Sequence, residues 1–408
     1  MPDSPLRRIE ILGSHVLHPG MWMISVKGQS SYGYHPVLAI LILQKRFNIS
    51  IYRENFSLRS KRTIEGDDGM AKRQRLNDGK SKIAVDSSDL IDKNNENSFL
   101  HNHTAREIYN HNISPILDLT DGEVAVVEVS TADSADTEDE YHLQRIKNVV
   151  KLQATSVFTC QHSKMAGDVV AKVLRYSGDS IYSLVGISRS WKQEKKALSN
   201  LHHRNIVSLK AFDGRAFALY LEHLPPSLNA VRESPLDPSD VKTILRDISS
   251  ALAYLSKQEV IHYDIKPANI AYSPDRGAVL MDFGMADSVA TIKEPHGGTP
   301  WFVPPDTLRR GIRGFPGDIW ALGVTMLLVL EKIALPSPRE SIYMQKIHDK
   351  GTRSYKRARE WMESIAEARY KLSLTNQIEH LTFEMLHESG PARVQAATIE
   401  LALREKKT

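Results

Sequence analysis

Residues 260 to 286, VIHYDIKPANIAYSPDRGAVLMDFGMA, decide how the rest of the chain is read. Pro267 forbids regular helix, so HYDIKPAN is a loop. It carries a carboxylate at Asp264, an ammonium two residues on at Lys266 and an amide five residues on at Asn269. Each alone is an ordinary solvated loop residue. Aimed at one point, they supply what phosphoryl transfer needs: a carboxylate to orient a hydroxyl and take its proton, a cation to offset charge, and an oxygen ligand for magnesium. Downstream, the apolar run AVLM delivers Asp282 to the end of a strand, and Gly284 is expected to let the chain turn sharply away, which puts a second carboxylate at a metal site. The intervening IAYSPDRGAVLM reads as two strands and a turn. Asp-Phe-Gly is a weak signal by itself and a strong one at this distance from the Asp264 loop.

The chain of 408 residues is 41% hydrophobic and 25% charged, an ordinary globular balance with material for two or three domains. A formal net charge of +4 gives no global case for nucleic acid, so no direct nucleic-acid binding is expected. The single cysteine, Cys160, cannot form an internal disulfide, which fits a reducing compartment. The first twenty residues lack the sustained apolar run of a secretory signal. IWALGVTMLLVL, Ile319 to Leu330, is shorter than the roughly 18 residues a bilayer demands and reads as a buried helix, so no membrane span is expected. VLAILIL, Val37 to Leu43, reads as a strand.

Composition suggests three regions. Residues 1–57, with MWMISV and RFNISIYREN in near-alternation, read as a small β-rich N-terminal region. Residues 58–147 read as a largely polar linker, disordered in part, although ISPILDL and EVAVVEVS inside it have strand character. Residues 148–408 have short strands first and long amphipathic helices after, an α+β order. One helix is clear, since Val241, Ile244, Leu245, Ile248, Leu252 and Leu255 recur at helical spacing behind Asp237 as cap and Pro238 in the first turn.

With these residues in hand, the chain resembles the eukaryotic-type protein kinase superfamily over residues 148–408. The resemblance implies a two-lobed kinase fold, a strand-rich lobe before a helical one. VVAKVL is similar to the strand bearing the nucleotide lysine, here Lys172. EKKALSNLHHRNIVSL is similar to the helix bearing its partner, Glu194. LYLEHLPPSL resembles the hinge, with Leu221 as gatekeeper and the backbone from Glu222 to Leu224 facing adenine. GTPWFVPPD resembles the substrate loop, with Thr299 near Asp264. GDIWALGV carries Asp318, which would tie down the catalytic loop, and Arg393 is placed to pair with Asp306. The implied ligands are ATP and Mg2+, with Asn269 and Asp282 holding the metal, and the implied partner is a protein with a Ser/Thr acceptor, because Lys266 followed by Pro267 resembles the serine/threonine branch.

Two departures stand out. Before Lys172, VVKLQATSVFTCQHSKMAGDVVAK offers only Gly167, and small residues Ala154, Thr155 and Ser156 occupy the place of a glycine-rich phosphate loop, which weakens the backbone grip on phosphates. Tyr263 replaces the arginine that, in the family, pairs with a phosphorylated activation segment, so activation without segment phosphorylation is expected, and Ser288 and Thr291 read as solvated loop residues. Lys172, Glu194, Asp264, Asn269 and Asp282 are all retained. Two readings follow: an active serine/threonine kinase, or a catalytically silent kinase-fold scaffold, a pseudokinase. The basic residues within 61–75 resemble a two-part import signal, giving an intracellular expectation, cytoplasmic or nuclear. The histidines at 101, 103 and 111 read as polar loop, not metal site.

Overall fold

A computed structural model describes residues 20–27, 34–42, 46–52, 81–85, 115–130, 140–151, 155–175, 181–214, 216–230, 236–289, 298–310, 314–336, 342, 346–347 and 349–404. The basic run 61–75, the histidine-rich stretch 101–111, residues 152–154 of the phosphate-loop region and Thr291 lie outside them. By contacts the chain divides into two units. The first holds Met1–Val169 and Arg175–Val185, and the second holds Val170–Leu174 and Gly186–Thr408.

In the first unit, strands form where apolar and β-branched residues alternate. β1 (Gly20–Lys27) and β2 (Tyr34–Ile42) pair antiparallel, Gly20 opposite Ile42 and Lys27 opposite Tyr34. β3 (Arg46–Tyr52), β4 (Ser81–Val85), β5 (Val124–Ser130), β6 (Tyr141–Lys151) and β7 (Thr155–His162) run side by side in the order β4-β3-β5-β6-β7. Val124 to Val127, Leu143, Phe158 and Cys160 are buried here. The buried Arg145 guanidinium donates to the Leu119 carbonyl at 2.7 Å and to Asp121 at 3.0 Å and lies 4.8 Å from the Phe158 ring centroid.

The structure differs from composition in two places. β4, β5 and the start of β6 fall inside 58–147, the stretch whose polarity suggested a linker, and β3 pairs with β5 across it. The continuous apolar run Val124 to Val127, buried throughout, outweighed the polar average. Within ISPILDL, the residues Pro115–Asp118 form a 3-10 turn and not a strand, and Pro115 has no N–H for a ladder.

Most of β8 (Asp168–Leu174) belongs to the second unit, followed by α1 (Ile181–Ser199), β9 (Leu209–Asp213), β10 (Ala218–Glu222) and α2 (Pro238–Lys257), with the strands in the order β8-β10-β9. In α2, every residue of the predicted apolar stripe is buried. Burying each such side chain contributes about 1.5–3 kcal/mol, against tenths for helix propensity, so packing decides this helix. Asp237 caps it, and its backbone N–H donates to Asp240 at 3.4 Å.

Two strand pairs then frame the loops of interest: β11 (Val260–Ile261) with β14 (Asp287–Ser288), and β12 (Ile270–Ser273) with β13 (Gly277–Leu280), all antiparallel. The β12–β13 turn ends at Gly277, where φ is +76° and a Cβ would stand 2.5 Å from Asp247 Oδ2. That carboxylate accepts the Ala278 N–H at 3.0 Å and so ties the hairpin to α2. The helices α3 (Pro305–Arg310), α4 (Phe315–Val329), α5 (Arg353–Tyr370), α6 (Gln377–Met385) and α7 (Ala396–Leu403) complete the unit. α4 is buried from Asp318 to Leu328, as expected of a helix apolar all round. Among the described residues, no helix is long and apolar enough to cross a membrane.

Candidate active site

The loop after β11 is built around Tyr263, a non-glycine residue at φ +67°. Bulky side chains disfavour that region, so something must hold the backbone there. The buried Asp318 of α4 does so: its two carboxylate oxygens accept the N–H groups of His262 at 2.8 Å and Tyr263 at 3.0 Å. His262 is fully buried, with Phe283 edge-on to its ring at 4.8 Å and the Met281 carbonyl 3.2 Å from Nε2. Burial pushes this imidazole below its usual pKa against the opposing charges of Asp318, Asp282 and Asp264.

The next residue, Asp264, is 8% exposed and has all of its acceptor capacity engaged. Oδ2 accepts from Lys266 Nζ at 2.7 Å and Asn269 Nδ2 at 3.0 Å, while Oδ1 accepts the Thr299 N–H at 3.0 Å and its hydroxyl at 2.8 Å. Lys266 also reaches Thr299 Oγ1 at 2.8 Å, and Asn269 also donates to the Asp264 carbonyl at 2.8 Å. The structure therefore brings together the loop trio and Thr299, thirty-five residues away in sequence. A carboxylate so fixed presents its oxygens in one orientation, which is what a proton acceptor in a transfer reaction needs.

A second cluster forms on Lys172 of β8. Its ammonium donates to Glu194 of α1 at 2.7 Å and to Asp282 at 2.6 Å. Burial works against that charge, but the two carboxylates outweigh it and raise the lysine above its ordinary value. Burial would likewise lift the Asp282 carboxyl, and here the Lys172 ammonium wins and holds it at about 2. Glu194, only 2% exposed, is pushed up by burial and by the Asp282 charge while Lys172 opposes both. Asp282 also sits in the left-handed region, φ +63°, so the sharp turn assigned to Gly284 belongs to the aspartate. The glycine has a different reason: a Cβ there would lie 3.3 Å from Asp282 Oδ1, 3.5 Å from Glu194 Oε2 and 3.8 Å from Lys172 Nζ. A side chain there would press on the Asp282 carboxylate and touch the ion cluster.

The donor set suits magnesium. Asp282 is held ionised with its side chain 47% exposed, and Asn269 adds a hard amide oxygen from the neighbouring loop. Among the described residues no group of three or more His, Cys, Asp or Glu side chains is placed to hold a metal. An ion held by one or two protein oxygens and completed by phosphates fits that arrangement.

At the hinge-like stretch, Leu221 is buried at the end of β10 and Leu224 packs against the same core. The Glu222 N–H is engaged by the Ser208 carbonyl at 2.9 Å, and its carboxylate is gripped by Arg276 through Nε at 3.2 Å and Nη2 at 3.0 Å. Arg276 was not legible beforehand; the only sign was its place in a turn. Farther out, the Arg393 guanidinium pairs with Asp306 and donates to the carbonyls of Pro316 at 2.9 Å and His387 at 2.8 Å. Gln193, one residue before Glu194, donates to the Ala286 carbonyl at 2.9 Å, a tie no local pattern announced.

Comparison with known proteins agrees with this geometry. Among curated proteins, the chain is 28% identical over 198 residues to serine/threonine-protein kinase PLK4 of Drosophila willistoni, covering 46% of this chain and 24% of that protein. It is 30% identical over 164 residues to serine/threonine-protein kinase sid1 of Schizosaccharomyces pombe, covering 38% and 34%. It is also 29% identical over 159 residues to cysteine-rich receptor-like protein kinase 14 of Arabidopsis thaliana, covering 35% and 24%. The chain thus spans about a quarter to a third of the length of these relatives. The family model for the protein kinase domain matches residues 153–401, more than half of the chain, and takes in the Lys172, Asp264 and Asp282 clusters alike. The chain therefore belongs to the protein kinase domain family, with its two-lobed α+β fold.

Proposed function

We propose that this chain is a serine/threonine protein kinase that transfers the γ-phosphoryl group of ATP to a protein hydroxyl with magnesium. The observation that carries the reading is the fourfold-bonded Asp264 beside Asn269, in the same unit as the Lys172, Glu194 and Asp282 cluster. A carboxylate offers about four lone-pair sites, and Asp264 uses all of them within the protein. An incoming hydroxyl must displace one donor. The Thr299 hydroxyl, which can rotate away at little cost, is the one to yield, leaving the Thr299 N–H to keep Oδ1 in place. The substrate oxygen then forms its bond to phosphorus as the bond to the ADP oxygen breaks, and its proton passes to Asp264. Lys266, 2.7 Å from Asp264, remains beside the reacting groups to offset their charge. Lys172 would hold the nucleotide phosphates, kept upright by Glu194. Magnesium, when held by Asp282 and Asn269, supplies charge neutralisation on the phosphate oxygens.

The test pairs two measurements on the full chain. Phosphate incorporation into a mixed peptide library should fall by roughly 10²–10⁴ in Asp264→Asn, the range for loss of a positioned acid or base. Thermal stability should rise with magnesium ATP, by about 2.7 kcal/mol at a hundredfold excess over Kd, and Asp282→Asn should lose most of the metal-dependent part. An Asp264→Asn protein that works at the wild-type rate would refute the mechanism. No incorporation and no nucleotide shift would favour the silent scaffold, which the glycine-poor sequence before Lys172 recommends as the second reading.

A further inference from the structure

Thr299 holds Asp264 through two hydrogen bonds, so whatever holds Thr299 sets where that carboxylate points. Immediately after it, Pro300–Phe302 make a 3-10 turn. The Trp301 carbonyl in this turn accepts the indole N–H of Trp361 at 2.7 Å. The two indoles also meet edge to face, with centroids 5.6 Å apart at 74°. Trp361 is 5% exposed and stands on the buried face of α5 with Ala358, Ile365 and Ala368, so its own position is fixed by the helix. Pro300 locks φ between the two residues. A bond on the Trp301 carbonyl is therefore felt at Thr299 with little slack, and the N–H of the buried Phe302 donates back to the Thr299 carbonyl at 3.0 Å.

The other end of the same segment is tied separately. Gln193 of α1 donates to the Ala286 carbonyl at 2.9 Å, and Val260 and Ile261 pair with Ser288 and Asp287. These ties and the Trp361 bond are neutral and complete within the chain. None of them uses a charge that phosphorylation would add, and Tyr263 stands where a phosphate-binding arginine would.

We propose that Trp361 is a positioning residue for the transfer reaction: its indole anchors Trp301, presses the Thr299 loop against Asp264, and so holds the site in working geometry with no phosphate on the segment. This rests on the kinase reading above and deepens it to the regulation of the same site.

The experiment uses the full chain treated with phosphatase. Trp361→Phe keeps a ring and removes the N–H; kcat should fall roughly tenfold with KM for ATP unchanged, the pattern of a lost orientation and not of lost binding. Thr299→Ala removes the hydroxyl and keeps the backbone N–H bond to Asp264, so in that background the same change should still cost roughly tenfold. Amide hydrogen exchange at 298–303 should quicken roughly fivefold to tenfold, the effect of losing one hydrogen bond, while α2 stays as protected as in the wild type. Trp301→Ala, at a half-buried position, removes the edge-to-face contact while the backbone carbonyl remains, should show the same pattern in smaller degree, and serves if Trp361→Phe does not fold. Unchanged kcat with unchanged exchange would overturn the proposal. So would a wild-type enzyme silenced by the phosphatase. A wild type that phosphorylates nothing in any state defeats the kinase reading instead, and the exchange data still decide whether Trp361 is the anchor.

Discussion

Replacing Asp318 by asparagine removes one of two acceptors from the backbone of the catalytic loop and leaves the side-chain volume almost unchanged. In the native protein the carboxylate receives His262 N–H at 2.8 Å and Tyr263 N–H at 3.0 Å, both with a buried aspartate. An amide has one acceptor oxygen, so one bond is lost and the new NH2 faces an N–H. Losing a hydrogen bond to a charged group costs about 1.5–3 kcal/mol, and the stranded donor adds a share of its desolvation. For a unit of this size each kcal/mol moves the melting midpoint by about 2–4 °C, so Asp318→Asn should melt roughly 4–10 °C lower. Freed from its clamp, Tyr263 should relax from φ +67° and carry Asp264 with it, and a misplacement near 1 Å lowers turnover by about a hundredfold. Scanning calorimetry and peptide phosphorylation read the two effects. Tyr263→Gly in the same background should regain part of the stability, since glycine accepts the left-handed region without penalty. Asp318→Asn with an unmoved midpoint and normal turnover would refute the clamp.

Two further outcomes follow from the ion pairs. Asp282 is held at about 2 in the folded protein, below the ordinary carboxylate value, so its contribution to stability is present above pH 4 and is lost as pH falls through 2; the gap between wild type and Asp282→Asn in thermal midpoint should shrink across that window, and a gap constant from pH 6 to pH 2 would contradict the assignment. Arg393→Ala strands Asp306 and leaves the carbonyls of Pro316 and His387 without their donor, at a cost of about 3–5 kcal/mol. Arg393→Lys should rescue little, because an ammonium cannot span Asp306 and the carbonyls of Pro316, His387 and Glu388 together, and full recovery of the midpoint with lysine would count against that geometry.

Local pattern carried some of this protein and left the rest dark, for reasons visible in particular residues. α2 was legible because its stability comes from one apolar stripe, and the spacing of Val241 to Leu255 records that stripe directly. The Asp264 loop was legible because Pro267 keeps an α-helix from running through it, leaving one short 3-10 turn at Pro267–Asn269, and the trio lies within six residues. Pro115 misled in the other direction, since apolar neighbours signalled a strand that its missing N–H does not support. Gly284 was given a turn that belongs to Asp282, because a left-handed aspartate has no local sequence signature. Trp361 gave no signal, since a tryptophan on a helix face looks the same whether it packs or donates, and Arg276 shows its role only once the β12–β13 turn reaches Glu222.

The carboxylates of Asp264 and Asp282 share one structural device. Among the described residues five non-glycines have positive φ, and two of them are Tyr263, beside Asp264, and Asp282 itself. Each such residue costs about 1–3 kcal/mol and persists only where the surroundings over-determine it. For Tyr263 the surroundings are the Asp318 carboxylate; for Asp282 they are Lys172 on one side and the buried Phe283 ring against His262 on the other. His262 joins the two, with Nδ1 3.3 Å from the Asp264 N–H and Nε2 3.2 Å from the Met281 carbonyl, the residue before Asp282. A buried imidazole kept neutral can donate on one nitrogen and accept on the other, which a protonated ring cannot. The depressed pKa of His262 thus matches its place: neutrality lets one ring bridge both strained loops, so the positions of Asp264 and Asp282 are set together rather than one at a time.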